Sequence, residues 1–196
     1  MSVLDKIIEL DHRLFVKING QWHNSFLDTI LTFARQPQVW IPFYFFLILF
    51  ATINFKRNGW YWVLFFALAV IFSDYLSSTV IKYEVLRLRP CQDASMLPDL
   101  RLLVNGCPGN PSFPSSHAVN HFCVSMFIYT TYKKQVSKWW GLILLWAFTI
   151  SYAQVYVGVH FPVDVISGGL LGCILGYLPA RIYNNRFSLQ PGNEKQ

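Results

Sequence analysis

Charge is scarce in this chain: Asp, Glu, Lys and Arg together make up 13% of its 196 residues, about half of the roughly 25% usual in a soluble domain. None of the cysteines form a CxxC pair, and no Glu stands inside His117-Ala-Val-Asn-His121. This leaves neither a cysteine zinc site nor a zinc-protease helix legible. The two histidines also lack a clear third ligand, so neither a metal nor any other cofactor is expected. No signal peptide is evident at the amino terminus, because residues 1–31 alternate charged and apolar side chains without a clean apolar core. Acidic residues are the scarcer sign, 10 against 16 basic, for a net charge of +6. In a soluble protein that excess would point to nucleic acid. Here the basic residues lie mostly between apolar runs, where lipid headgroups suit them better, and no nucleic-acid partner is expected.

Apolar and aromatic residues are abundant. Hydrophobic residues make up 54% of the chain, with 17 Phe, 10 Tyr and 7 Trp. The length suits one domain covering residues 1–196. Five stretches are apolar enough to cross a bilayer: 39–55, 60–81, 117–132, 139–159 and 161–182. Trp and Tyr near their ends make interface anchors. Before them, residues 1–36 form a prelude of two short apolar stripes at helical spacing, read as interfacial helices, with Asn24 or Ser25 as a cap for the second. The expected fold is therefore an all-α integral membrane bundle of about five transmembrane helices plus short amino-terminal interfacial helices. Gly168, Gly172 and Gly176 share one face of the last stretch and permit close helix packing.

Parity places the 82–117 loop and the turn at His160 on one membrane face, because two spans separate them. Raw Lys and Arg numbers do not separate the two faces. The compact basic loops at 56–57 and 133–138 contain no acid and are taken as cytoplasmic, so the opposite face looks to the periplasm or exterior. That outer face carries the ionisable residues, which are costly near apolar helices and read by default as functional. Lys82 and Arg89, seven residues apart, would share one side of a helix that Pro90 ends. A lysine supplies a point charge and an arginine a planar fork matched to phosphate oxygens. Pro114-Ser115-Ser116-His117 reads as the start of the third span, where hydroxyls and free N–H groups receive an anion. His160 and Asp164 lie one helical turn apart, so the carboxylate can hold the imidazole in its attacking tautomer. His117 has no such carboxylate nearby in sequence, which favours the proton-donor role. Asp74 either pairs internally or lines a substrate cleft. Glu84 and Arg87 read as a local pair without a catalytic role. Cys91 and Cys107 bracket a polar loop and would form a disulfide in an oxidising compartment.

These residues resemble the type 2 phosphatidic acid phosphatase superfamily, integral-membrane lipid phosphatases related in fold to vanadium haloperoxidases. Lys82 to Arg89-Pro90 keeps the family's first spacing. Pro114-Ser115-Ser116-His117 is similar to Pro-Ser-Gly-His, with Ser116 in place of glycine. His160 and Asp164 keep the third spacing, but Ala153-Gln154 stands where the family has Ser-Arg. The resemblance implies a metal-independent phosphatase with His160 as nucleophile, His117 as acid, and Lys82, Arg89, Ser115, Ser116 and Gln154 around the phosphate. It implies a multi-pass protein of the bacterial cytoplasmic membrane whose partner is a membrane lipid phosphate. The first expected substrate is polyprenyl (undecaprenyl) diphosphate; phosphatidylglycerophosphate, phosphatidic acid and a lipid A phosphate are alternatives. Gln154 removes one cation, which leaves a catalytically weak lipid-binding or transport protein as a further class, unless Arg87 or Arg101 folds over the site to replace the charge.

Overall fold

A helical run of 56 residues, Pro37–Gln92, would extend about 84 Å if straight, nearly three times the roughly 30 Å of bilayer hydrocarbon. The computed structural model, which describes residues 2–133 and 141–189, shows how the chain avoids this. Helix α3, Ile41–Tyr75, breaks at Lys56 with φ 47° and ψ −120°. Its two arms fold back so closely that a Cβ on Gly59 would lie 2.0 Å from the Ala51 carbonyl oxygen. The arms carry the first two apolar stretches expected from sequence.

Beyond Tyr75 the helix continues through a wide π turn, Leu76–Ile81, into the short helix α4, Lys82–Val85, and stops at Leu86 in the left-handed region with φ 51°. The expected helical repeat between Lys82 and Arg89 is thus corrected. Arg89 is extended, with φ −80° and ψ 158°, as a residue before proline prefers, and Pro90 opens a 3-10 turn instead of closing the helix. The path of the loop brings the two cations together. The Cys91–Cys107 disulfide closes that loop across a sequence separation of 16, worth about 3 kcal/mol in the chain-entropy model.

Three further helices complete the bundle: α5 (Ser116–Tyr132), α6 (Gly141–Tyr156) and α7 (Pro162–Arg186). Trp139, the expected start of the fourth stretch, and Lys134 and Lys138 of the basic loop lie outside the described residues. Helix α5 is central and packs most heavily on α7. The glycine stripe makes this contact: a Cβ on Gly172 would lie 2.3 Å from the Val119 carbonyl oxygen, and one on Gly176 2.2 Å from that of Cys123. Only glycine lets two backbones approach so closely. On the opposite face of α7, Ile166, Leu170, Ile174, Leu178 and Ile182 recur every fourth residue and are all exposed. That ridge suits lipid, not water. Among the described residues every regular element is helical.

The prelude forms two helices, α1 (Val3–Phe15) and α2 (Ser25–Ala34), joined by a π turn at Val16–Gln21. Asn24 caps α2 by accepting from Leu27 N at 2.8 Å. Buried Asn19 fastens this segment to the bundle: its amide donates to the Arg101 and Tyr156 carbonyls, each at 2.7 Å, and accepts from Arg101 N at 2.8 Å. Arg101 also pairs with Asp28 at 2.9 Å, and the Tyr156 hydroxyl donates to Asp28 at 2.6 Å. These ties hold α2 against the end of α6.

Candidate active site

The end of the α3–α4 helical run, the 86–116 loop, the start of α5, the α6–α7 turn and the end of α2 all converge on a polar cavity of about 210 Å³. Lys82, Arg89 and Arg35 line it, with Ser116, His117, Gln154 and His160. The groups that hold the three cations in place are mostly carbonyl and amide oxygens. Lys82 Nζ donates to the Pro111 carbonyl at 2.6 Å. Arg89 donates to the Asn110 carbonyl at 2.8 Å, to Asn110 Oδ1 at 2.7 Å and to the Val159 carbonyl at 2.8 Å. Arg35 donates to Gln154 Oε1 from Nε and Nη2, at 3.3 and 3.1 Å. Among the described residues none of the three has a carboxylate within salt-bridge distance. Gathering unpaired positive charges in a partly dry cavity is costly, and an anion is the group that relieves it.

His160 sits at the edge of this cluster with its Nε2 3.1 Å from Arg89 Nη1. Its Nδ1 faces the other way, 3.3 Å from Ser112 Oγ and 3.6 Å from Asp164 Oδ2. The Asp164 contact is longer than a hydrogen bond. Ser112 bridges the two side chains, because its hydroxyl also donates to Asp164 Oδ2 at 2.5 Å. With the proton on Nδ1, the Nε2 lone pair accepts from Arg89 Nη1 at the edge of the cavity. Burial pushes the His160 pKa down to about 4, so the free site holds a neutral imidazole near pH 7.

Asp164 is held from three further directions. The Phe161 N–H donates to it at 2.9 Å at the start of α7, Ser112 donates as above, and Arg87 Nη1 donates to Oδ1 at 2.6 Å. Arg87 also pairs with buried Asp11 at 2.5 Å, and Asp11 accepts from Val163 N at 2.8 Å. The expected local pair of Arg87 with Glu84 is therefore replaced by a bridge between two buried carboxylates, each of which gains more from a partner than an exposed glutamate does. Arg87→Ala is expected to destabilise the protein by about 3–5 kcal/mol, the usual cost of stranding a buried charge. Denaturant or thermal unfolding in detergent measures it; a change under about 1 kcal/mol would mean the bridge is solvated.

Ser115 caps α5 by accepting from Ala118 N at 3.4 Å, and its own N–H donates to the Asp164 carbonyl at 3.1 Å. It is fully buried and stands behind the cavity wall. Ser116 faces the cavity, and its Oγ has no hydrogen-bond partner among the described residues. His117 borders two spaces: the polar cavity and a second, largely apolar one of about 420 Å³ between α3 and α5. Asp74 and Asn120 line the second space and are joined by a 2.7 Å hydrogen bond, so Asp74 has an internal partner at the wall of this space. Neither Arg87 nor Arg101 lines the polar cavity: Arg87 is tied to Asp11 and, behind His160, to Asp164, and Arg101 is tied to Asp28. Sequence reasoning missed Arg35, Asn110 and Ser112, which occupy no motif position and reach the site only through tertiary contacts.

Residues 60–188 match the family model described as the PAP2 superfamily. The chain is 31% identical over 179 residues to a lipid A 4'-phosphatase of Bacteroides thetaiotaomicron, covering 90% of this chain and 78% of that protein. It is 33% identical over 162 residues to an undecaprenyl-diphosphatase of Sulfolobus acidocaldarius, covering 81% of this chain and 70% of that one. Its fold matches the crystal structure of a transmembrane PAP2-type phosphatidylglycerolphosphate phosphatase from Bacillus subtilis, with TM-score 0.72 at 21% identity over 95% of this chain and 90% of the other.

Proposed function

This chain belongs to the PAP2 superfamily and is a membrane lipid phosphatase, and from that premise we propose that it hydrolyses a lipid phosphate through a phosphohistidine on His160. The observation that carries this reading is the position of His160, with its Nε2 at the edge of a cavity lined by three cations that have no carboxylate in salt-bridge contact among the described residues. In the proposed reaction His160 Nε2 attacks phosphorus in line, and the bond to the leaving oxygen breaks as His117 protonates that oxygen. Lys82, Arg89 and Ser116 stabilise the equatorial oxygens. Asp164 and Ser112 hold the far side of the imidazole. Water activated by His117 then cleaves the P–N bond and frees phosphate. The cations supply the electrostatic stabilisation, so the proposal contains no metal step. Ser115 supports the site by capping α5.

The proposed substrate carries its phosphate on a polar, sugar-like headgroup, as in lipid A. Asp74 and Asn120 offer hydrogen bonds to a hydroxylated leaving group beside His117, while the apolar walls accept lipid. The likeness to lipid A 4'-phosphatases favours the same choice. Polyprenyl diphosphate is the second reading, favoured by the undecaprenyl-diphosphatase relative. Phosphate release from lipid A, undecaprenyl diphosphate, phosphatidylglycerophosphate and phosphatidic acid in detergent tests both. Lipid A should give the highest kcat/KM. A higher value on undecaprenyl diphosphate overturns the substrate choice, and no release from any lipid overturns the phosphatase reading.

We further propose that the chain crosses the bacterial cytoplasmic membrane about five times, with the site facing the periplasm or exterior. The disulfide beside the site supports an oxidising compartment on that face, and Lys56-Arg57 at the α3 break lies at the opposite end of the helices.

A further inference from the structure

We propose that Arg35, delivered by the amino-terminal prelude, is the third phosphate-binding cation of this site, and that Gln154 is the positioning residue that holds it there. The inference rests on reading the cavity as a phosphate site. In the motif that this chain resembles, an arginine occupies position 154 and reaches the phosphate from α6. Here Gln154 cannot supply charge, yet the cavity has not lost a cation. Arg35, 119 residues earlier in sequence, stands against that very side chain.

Each part of the contact has a local cause. Gln154 is fully buried, and its Nε2 donates to the Ile150 carbonyl at 3.3 Å, which turns Oε1 toward Arg35. The same residue's backbone carbonyl accepts from His160 N at 3.3 Å, so one residue fixes the third cation and the proposed nucleophile. Arg35 ends α2, with its N–H bonded to the Leu31 carbonyl at 3.2 Å. A Trp40 indole bond to the Ala34 carbonyl at 2.7 Å closes the corner behind it. The Asn19, Asp28 and Tyr156 ties keep the whole helix in register with α6. Burial lowers the pKa of Arg35, a cost that no carboxylate among the described residues offsets. Its Nε and Nη2 engage Gln154, while Nη1 has no hydrogen-bond partner among the described residues and is available to a phosphate oxygen.

Arg35 lies outside residues 60–188, the part matched by the family model. The prelude therefore completes the site: the third charge comes from the end of α2 and not from α6, and Gln154 is its clamp. A neutral amide suits this task, since it accepts from the guanidinium without cancelling its charge, as a carboxylate would.

The test uses the full chain in detergent with two readouts, orthovanadate affinity and kcat/KM for phosphate release from the best lipid substrate. Arg35→Ala should lower both by about 10- to 100-fold, the loss of charge-assisted hydrogen bonds to phosphate. Gln154→Glu should lower them similarly at an unchanged melting temperature, because Arg35 stays in place but is neutralised. Exchanging the pair, Arg35→Gln with Gln154→Arg, should recover both values to within about tenfold of the unaltered protein. Wild-type vanadate affinity and kcat/KM in Arg35→Ala would overturn the assignment. So would an exchange variant that melts normally but is no better than Arg35→Gln alone. If the unaltered protein binds vanadate through Arg35 yet releases phosphate from no lipid, the phosphatase reading fails while the cation assignment stands.

Discussion

His160→Ala is expected to reduce phosphate release by at least about 10⁴-fold, because deleting the nucleophile of a covalent mechanism removes the reaction path and not merely a contact. The geometry makes the expectation specific to this histidine. Its Nε2 is beside the cation cluster, and its Nδ1 side is fixed by Ser112 and Asp164. Brief incubation with a ³²P-labelled lipid substrate should leave an acid-labile, alkali-stable label on the unaltered protein and none on His160→Ala. The variant should still fold, since its backbone N–H bond to Gln154 is retained and the imidazole's polar contacts among the described residues are those with Arg89, Ser112 and Asp164. Turnover within tenfold of the unaltered protein in His160→Ala would remove His160 from the nucleophile's role.

The second large effect belongs to His117. Removing a general acid costs about 10²- to 10⁴-fold, and the size of the loss should depend on the leaving group. His117 stands at the boundary between the phosphate cavity and the α3–α5 space where the proposed leaving group lies. An alkoxide leaving without a proton is a poor leaving group, whereas an aryl oxide hardly needs one. His117→Ala should therefore fall by the full amount on a lipid phosphate and far less on an aryl phosphate. With the aryl substrate, phosphoenzyme should accumulate, because the water that cleaves it has lost its base. Equal losses on both substrates, with no accumulated intermediate, would place His117 in binding and not in proton transfer.

How much of this was legible in the sequence follows from the range over which each feature is decided. The helical character of the apolar stretches, the Asn24 cap and the glycine stripe of α7 are set within a few turns of helix. Among the described residues the structure is helical or capped there as the local pattern indicates, whereas His160 reaches Asp164 through Ser112. The motif residues Lys82, Arg89, Ser116, His117, Gln154 and His160 line one cavity, while Ser115, read as a phosphate ligand, is not in its lining. The spacing of Lys82 and Arg89 suggests one helix, but the helix ends at Val85 and Arg89 is extended. Leu86 carries no breaker signature of its own, and its left-handed conformation arises where the loop turns inward, with the Arg87 carbonyl accepting from Ser112 N at 2.7 Å.

The class of the molecule and the chemistry available at one end of it can be read along the chain: apolar helices, two histidines, a carboxylate and two cations at family spacing. Tertiary structure alone decided the destinations of the arginines. Arg87, Arg101 and Arg35 look alike in sequence, each a basic residue outside a span. Arg87 bridges two buried carboxylates, Arg101 locks the prelude to the loop, and Arg35 enters the cavity. Their partners lie 76, 77, 73 and 119 residues away. A charge takes the partner that folding brings within a few ångströms in a medium of low dielectric, and no pattern along the chain records that distance.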